Sequence, residues 1–113
     1  EIEDHHDQVV AMLEAGQAEE EDTVTIDGRR AWKEGAALRD PEGRRPRILF
    51  QLVPEPKTTK NRVHLDVRVG DEHREARVEE LIAAGAERLW DGQQGPFRWV
   101  TMADPEGNEF CVT

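Results

Sequence analysis

Alternation of apolar and polar side chains is clearest in the second half of the chain. Between Arg62 and Val69, valine and leucine alternate with charged residues. This period of two predicts a half-buried strand, because successive side chains of a strand point to opposite faces. The alternation places His64 and Asp66 on the same face, opposite the four apolar side chains.

A helix is predicted after this strand. Val78, Leu81 and Ile82 have the spacing of one apolar stripe on a helix. Asp71 is the predicted N-cap, since a carboxylate accepts hydrogen bonds from free N–H groups, and the helix is expected to end near Gly85.

Three further strands complete the second half. They are predicted at Ala86–Trp90, Phe97–Met102 and Glu109–Val112, with the first turn at either Asp91-Gly92 or Gly95-Pro96. The half therefore has the predicted order strand, helix, strand, strand, strand.

The first half shows a different beginning. A helix is predicted from Asp4 to Ala15, followed by a strand at Thr23–Ile26 and a hairpin turn at Asp27-Gly28. Strands are then predicted from Arg30 to Arg39 and from Arg47 to Val53. Two prolines end the last strand, because proline cannot donate to a strand ladder; residues 54–61 are therefore predicted to be a linker.

One tetrapeptide occurs twice. Asp40-Pro41-Glu42-Gly43 recurs as Asp104-Pro105-Glu106-Gly107, each time between two strand-like segments. Asp-Pro favours turn initiation and glycine tolerates positive φ. The repeat predicts a duplicated supersecondary unit, and such duplications often place a site at the seam between copies.

Composition and charge exclude several partner classes. The 113 residues fit one domain. The net charge of -10 comes from residues 1–28, which contain ten Asp or Glu and no Lys or Arg. This acidity repels phosphate backbones and argues against nucleic-acid binding. No apolar run approaches the ~20 residues that span a bilayer, which argues against a membrane partner.

The single cysteine indicates the cell compartment, and the first residue indicates whether a segment precedes the chain. Cys111 alone cannot form an internal disulfide and fits a reducing cytosol, so a cytoplasmic protein is expected. No signal peptide is visible. The chain begins at Glu1 rather than Met, so the expectation is that a preceding segment is missing.

Two segments of the second half resemble a known family. Asn61-Arg62-Val63-His64-Leu65-Asp66-Val67 and the stretch from Trp99 to Val112 resemble glyoxalase-like proteins of the vicinal oxygen chelate superfamily, which includes bleomycin resistance proteins and dioxygenases. Residues 50–57 are similar to the same subgroup. The resemblance covers about residues 36 to 113 and follows the family order from His64 through a helix to the last strand.

The resemblance implies an α+β fold of paired βαβββ modules that form a curled, cleft-bearing mixed sheet. On this basis the chain is a single glyoxalase-like domain, with residues 1–53 a first module, 54–61 the linker and 62–113 the second module. The first strand and helix of module one are not evident; the expectation is that they belong to the missing preceding segment, and the alternative is that a partner subunit supplies the strand. Glu1-Ile2-Glu3 would begin its second strand, and the helix at Asp4–Ala15 would be an insertion.

The resemblance also implies a ligand set for a divalent metal. Metal-dependent members use one ligand from each of four cleft-lining strands. His64 matches the histidine that opens module two, Cys111 matches the glutamate of the last strand, and Gln51 matches a ligand of module one. The set is incomplete, because the fourth ligand would lie on the absent strand, and cysteine changes both the charge and the softness of its position.

The implied function is binding of a small organic molecule in the cleft. If the protein is an enzyme, the resemblance implies lyase, isomerase or dioxygenase-type chemistry on a substrate with adjacent oxygens. His64, Gln51, Cys111, Asp66 and Trp99 are the candidate substrate-binding residues. The alternative is a non-catalytic protein that sequesters a ligand or drug. Dimers are common in the family, so a homodimer is expected.

Other polar and aromatic residues have competing interpretations. Asp4-His5-His6-Asp7 is interpreted as an exposed helix start rather than a metal site, because neighbours in sequence on a helix do not face each other. Glu109 shares a strand face with Cys111 and could point into the cleft. Trp90 and Trp99, with Trp32, either pack in the core or wall the cleft.

Overall fold

The structure, a computed structural model, describes residues 1–113 and contains two compact units, Glu1–Pro54 and Glu55–Thr113. Two helices and three β-sheets confirm the α+β class. The first unit contains α1 (His6–Glu14), a one-turn 3-10 helix (Glu20–Asp22), β1 (Thr23–Ile26), β2 (Arg29–Trp32), β3 (Gly35–Leu38) and β4 (Ile48–Gln51). The second unit contains β5 (Asp66–Val67), α2 (Arg74–Ala83), β6 (Glu87–Gln94), β7 (Phe97–Ala103) and β8 (Glu109–Val112).

Two antiparallel hairpins form the first unit. β1 pairs with β2, and their turn holds Asp27 and Gly28 at positive φ, as predicted for this dipeptide. β3 pairs with β4, and the segment before α1 lies beside β3 through an antiparallel bridge between Ile2 and Leu38. Val9 of α1 is fully buried and anchors the helix in this unit.

A four-stranded sheet forms the second unit, in the order β5-β8-β7-β6. β5 is parallel to β8, and the other neighbours are antiparallel. The chain order β5-α2-β6-β7-β8 is the predicted order of strand, helix and three strands. One face of the sheet contributes Val100, Met102 and Val112 to a core with Val78 of α2. The opposite face is therefore the one available to a site.

The repeated tetrapeptide forms the same turn twice. Gly43 N–H donates to the Asp40 carbonyl at 3.0 Å, and Gly107 N–H donates to the Asp104 carbonyl at 2.9 Å. In both copies the aspartate carboxylate also accepts backbone N–H groups of the following residues. The turns connect β3 to β4 and β7 to β8, so corresponding hairpins occur in the two units.

The predicted strand from Arg30 to Arg39 was wrong. The chain forms β2 and β3 instead, in two different sheets, with the break at Lys33 and Glu34. Lys33 N–H donates to the Asp22 carbonyl, whereas the Glu34 carbonyl accepts from Leu52. The chain therefore changes strand partners here, and this exchange depends on residues distant in sequence.

Three boundaries in the second half also differ from the predictions. Of the predicted strand from Arg62 to Val69, only β5 is a regular strand, and Val63 remains 83% exposed. Asp71 is not the N-cap of α2; His73 holds that position and Asp71 forms an ion pair with Arg74. β6 extends to Gln94 instead of ending at Trp90, so Asp91-Gly92 lies inside the strand, and of the two predicted turn positions Gly95-Pro96 is confirmed.

Neither helix has the length and apolar character that crossing a bilayer would require.

Candidate functional site

Four side chains form a row across the sheet of the second unit. Asp66 of β5 is paired with Cys111 of β8, Cys111 with Thr101 of β7, and Thr101 with Trp90 of β6. Because paired residues in neighbouring strands point to the same face, the four side chains stand on one side of the sheet. This is the face opposite the core formed with α2.

A β-bulge brings Trp90 into this row. Residues two apart in a regular strand share a face, but the pairing of β6 with β7 shifts between Arg88 and Trp90. Arg88 consequently lies on the helix side, where its guanidinium donates to Glu75 of α2 at 2.8 Å. The extra residue thus allows Arg88 to bind the helix while Trp90 faces away from it.

A cavity of about 340 Å³ lies over this row. Its size is at the lower end of small-molecule sites. All of its lining residues belong to the second unit: Lys60, His64, Asp66, Trp90, Trp99, Thr101, Glu109, Cys111 and Thr113.

Three side chains of the cavity bring metal-type donor atoms together. Donor atoms of His64, Asp66 and Cys111 lie within 4.8 Å of one another. His64 Nδ1 is 3.6 Å from Asp66 Oδ1, and Cys111 Sγ is 3.6 Å from Thr101 Oγ1, close enough for a weak hydrogen bond. His64 and Asp66 are open to solvent, whereas Cys111 is buried.

Glu109 lies at the same cavity but is bound to other groups of the protein. Lys57 Nζ donates to its carboxylate at 2.9 Å, and the N–H of Asn61 donates to the same oxygen at 3.1 Å. These bonds, the one from Lys57 first, lower the pKa of Glu109 to about 2. A general base works best with a pKa near the operating pH. Glu109 therefore serves to hold the segment around Lys57 and Asn61 against β8.

Two tryptophans provide the aromatic surface of the cavity. The ammonium of Lys60 stands 5.4 Å from the ring centroid of Trp90, within cation–π range. Trp99 is paired with Gly92, and its indole occupies the space beside that glycine. Trp90 and Trp99 thus face the cavity rather than the core, which decides between the two interpretations of these residues.

Four of the five predicted substrate-binding residues line this one cavity: His64, Asp66, Trp99 and Cys111. The fifth, Gln51, lies on β4 in the first unit, where it lines a hollow that includes Trp32 and His5. Asp66 joins the donor cluster, although the sequence resemblance did not place a metal ligand there. Thr101 and Lys60 were not predicted; the register of β7 with β8 identifies Thr101, and no local signal identifies Lys60.

The two histidines at the start of α1 contact residues of the first unit. The ring Nδ1 of His6 accepts the N–H of Arg30 at 2.8 Å, and His5 lies 3.2 Å from the carboxylate of Glu3. The His6 N–H and then Arg29 lower the pKa of Asp4. This segment ties α1 to the β1–β2 hairpin.

The fold and the cavity define an α+β protein with a mixed sheet that presents a cluster of polar and aromatic side chains on one face. Residues 11–113 match the family model of the Glyoxalase-like domain, and the chain belongs to this family. This finding confirms the resemblance seen in the sequence and is consistent with the vicinal oxygen chelate superfamily. No curated protein matches the chain significantly.

Proposed function

We propose that the protein binds a small organic molecule with adjacent oxygen atoms in the cavity of the second unit, next to a divalent metal held by His64, Asp66 and Cys111. The reaction would be of the lyase, isomerase or dioxygenase type. The observation that supports this most is the convergence of three different donor atoms within 4.8 Å in the lining of one cavity.

The donor set suits a borderline-soft ion such as Zn²⁺. Imidazole nitrogen, carboxylate oxygen and thiolate sulfur all bind zinc, at about 2.0–2.3 Å. Donors around one tetrahedral ion then stand roughly 3.3–3.8 Å apart, and the 3.6 Å between His64 and Asp66 fits this range. Three protein ligands leave a position for a substrate, as catalytic zinc sites do. When bound, the ion would act as a Lewis acid on a ligand oxygen.

The remaining lining residues would position the ligand. Trp90 and Trp99 offer flat apolar surface that excludes water from one side of the molecule. Thr101 holds the side chain of Cys111 through their 3.6 Å contact. Glu109, with its low pKa, stays ionised and bound to Lys57, so it would not take up a proton near neutral pH.

A second candidate function is ligand sequestration without catalysis. The aromatic lining of Trp90 and Trp99 favours it, because such surface binds planar molecules without any metal. The thiol at position 111, where the resembled family has a carboxylate, also favours it.

The test begins with the metal content of purified protein. We expect stoichiometric zinc or another divalent ion in the wild type and its loss in His64→Ala, with His73→Ala as the control because His73 lies outside the cavity. Turnover of 2-oxoaldehyde thiol adducts is then measured with and without added divalent ions.

Metal-dependent turnover would support the enzyme. Metal-free protein that binds aromatic ligands without turnover would instead support ligand sequestration. Protein that takes up neither metal nor ligand would overturn both functions.

The domain organisation follows the same proposal. Residues 62–113 would be one βαβββ module, and residues 1–53 a reduced module with α1 as an insertion, joined by residues 54–61. The identical turns before β4 and β8 support this assignment.

A further inference from the structure

Lys60 is the cation of the cavity that has no carboxylate partner. Lys57, three residues earlier, is bound to Glu109 at 2.9 Å. Lys60 forms no ion pair; its one specific contact is the cation–π approach to Trp90 at 5.4 Å. A cation–π contact leaves the ammonium hydrogens free to donate. Lys60 therefore presents an unused positive charge beside an aromatic wall.

The two carboxylates of the cavity do not oppose a negative ligand equally. Glu109 is ion-paired with Lys57 and accepts the N–H of Asn61. Asp66 stands at the other end of the donor cluster, 3.6 Å from His64. In the pairing of the sheet, Asp66 is on β5 and Trp90 is on β6, at the two edges of four strands. Because neighbouring strands are about 4.8 Å apart, the backbones at these two positions are separated by roughly 14 Å.

The charge of the cavity is thus divided. The β5 edge carries the metal-type donors, and the β6 edge carries Trp90 and the free ammonium of Lys60. Because Lys60 covers one face of Trp90, a planar ring that lies beside this face would place an acidic substituent at Lys60, where a charge-assisted hydrogen bond is available. Such an acid would meet no unpaired carboxylate on that side.

From this geometry we infer that the ligand class is an aromatic or conjugated acid, with its ring against Trp90 and Trp99 and its anionic group at Lys60. The inference rests on the proposed function, since it names the kind of small molecule that this same cavity takes. It makes Lys60 a specificity-determining residue.

The experiment compares three ligands that share one ring system: 2-naphthoate, 2-naphthamide and 2-naphthylmethylammonium. Binding is followed by tryptophan fluorescence in a Trp32→Phe background, so that the signal comes from the two cavity tryptophans. A chelator is present throughout, because a metal would also attract the carboxylate. We expect naphthoate to bind about tenfold tighter than the amide, and the amine to bind weakest.

Substitution of Lys60 identifies the source of this preference. Lys60→Gln should reduce naphthoate affinity about tenfold and leave the amide unchanged, and Lys60→Arg should retain the preference. Lys33→Gln is the matched control, because Lys33 belongs to the first unit and does not line the cavity.

Equal affinity for acid and amide, tighter binding of the amine, or an unchanged preference in Lys60→Gln would overturn the inference while leaving a ligand-binding cavity in place. Failure of all three ligands to bind would instead count against both this inference and ligand binding by the cavity.

Discussion

Gly92 lies directly opposite Trp99 in the ladder of β6 and β7, and the indole of Trp99 covers the position where a side chain of residue 92 would begin. A Cβ built at Gly92 would stand 2.1 Å from Trp99 Cε2, far inside van der Waals contact. The glycine is therefore required by a close approach from the neighbouring strand and not by a turn. This contact fixes the orientation of one of the two aromatic walls of the cavity.

Gly92→Ala should displace Trp99 and disturb the cavity. We expect a loss of about 1–3 kcal/mol in the free energy of unfolding, the range for overpacking, together with weaker binding of aromatic ligands. Chemical denaturation and fluorescence titration measure the two effects. Gly35→Ala is the matched control, since it is also a strand glycine but its Cβ would meet its nearest neighbour at 3.5 Å. Equal behaviour of the two variants would show that the Trp99 contact is not tight in solution.

His6 should stabilise the first unit through the backbone of β2. Its Nδ1 accepts the N–H of Arg30 at 2.8 Å, so His6→Ala leaves a partly buried donor without a partner. We expect a cost of about 1–2 kcal/mol, measured by chemical denaturation. Faster hydrogen exchange at the Arg30 amide would locate the effect.

The control for this substitution is His73→Ala. His73 has an exposed side chain that accepts no backbone N–H, so its loss should change stability by less than about 0.5 kcal/mol. A stability loss in His73→Ala as large as that in His6→Ala would contradict the prediction that the hydrogen bond between His6 and Arg30 stabilises the first unit.

Local signals explain which parts of the fold were predictable from the sequence. The turns at Asp27-Gly28 and at the two Asp-Pro-Glu-Gly copies depend on residues within the turn itself, and they were predicted correctly. The break between β2 and β3 depends on a change of strand partners, which no local pattern shows. Asp91-Gly92 has turn-forming residues but lies in β6, because Gly92 accommodates Trp99 from another strand.

The candidate site was also predictable only in part, where strand alternation or the family resemblance pointed to a residue. Strand alternation placed His64 and Asp66 on one face, and the family resemblance identified Cys111; the structure brings all three into one cavity. Trp90 reaches that cavity through a bulge, and Lys60 through an irregular segment. Bulges and loop paths are set by tertiary packing, so sequence patterns do not reveal them. The roles of these residues stay predictions.

Glu109 should make stability depend on pH in the acid range. Its pKa in the folded protein is about 2, below the ordinary value of 4.5, first because of the hydrogen bond from Lys57 and second because of the N–H of Asn61. The unfolded chain therefore takes up this proton first, and the stabilisation is complete above about pH 4.5 and is lost as the pH falls toward 2. Glu109→Gln should show a flatter decline than the wild type in this window.

Denaturation midpoints at several pH values between 6 and roughly 2 measure the difference. Glu106→Gln is the matched control, because Glu106 has no ion pair and lies in the turn just before β8. If the stability of wild type and Glu109→Gln declined equally as the pH falls, the Lys57 contact would not persist in solution.

Asp66, rather than Gln51, should be the third metal ligand beside His64 and Cys111. The structure brings the donor atoms of His64, Asp66 and Cys111 within 4.8 Å, whereas Gln51 was assigned by resemblance alone. Titration with Co²⁺ gives a direct readout, because a thiolate ligand adds a charge-transfer absorption band. We expect Cys111→Ser to abolish that band, since the thiolate is the soft ligand of the set. His64→Ala and Asp66→Asn should each weaken binding by at least about tenfold, the lower end of the range seen even for outer-shell changes.

Gln51→Ala is the control that separates the two ligand sets. We expect its cobalt affinity and spectrum to match those of the wild type, because three donors from the second unit leave the open fourth position that a substrate needs. An affinity loss in Gln51→Ala equal to that in Asp66→Asn would mean that the first unit supplies a ligand, as the resemblance implies. A cobalt spectrum without the charge-transfer band in the wild type would exclude Cys111 as a ligand and would leave its 3.6 Å contact with Thr101 as its role in the cavity.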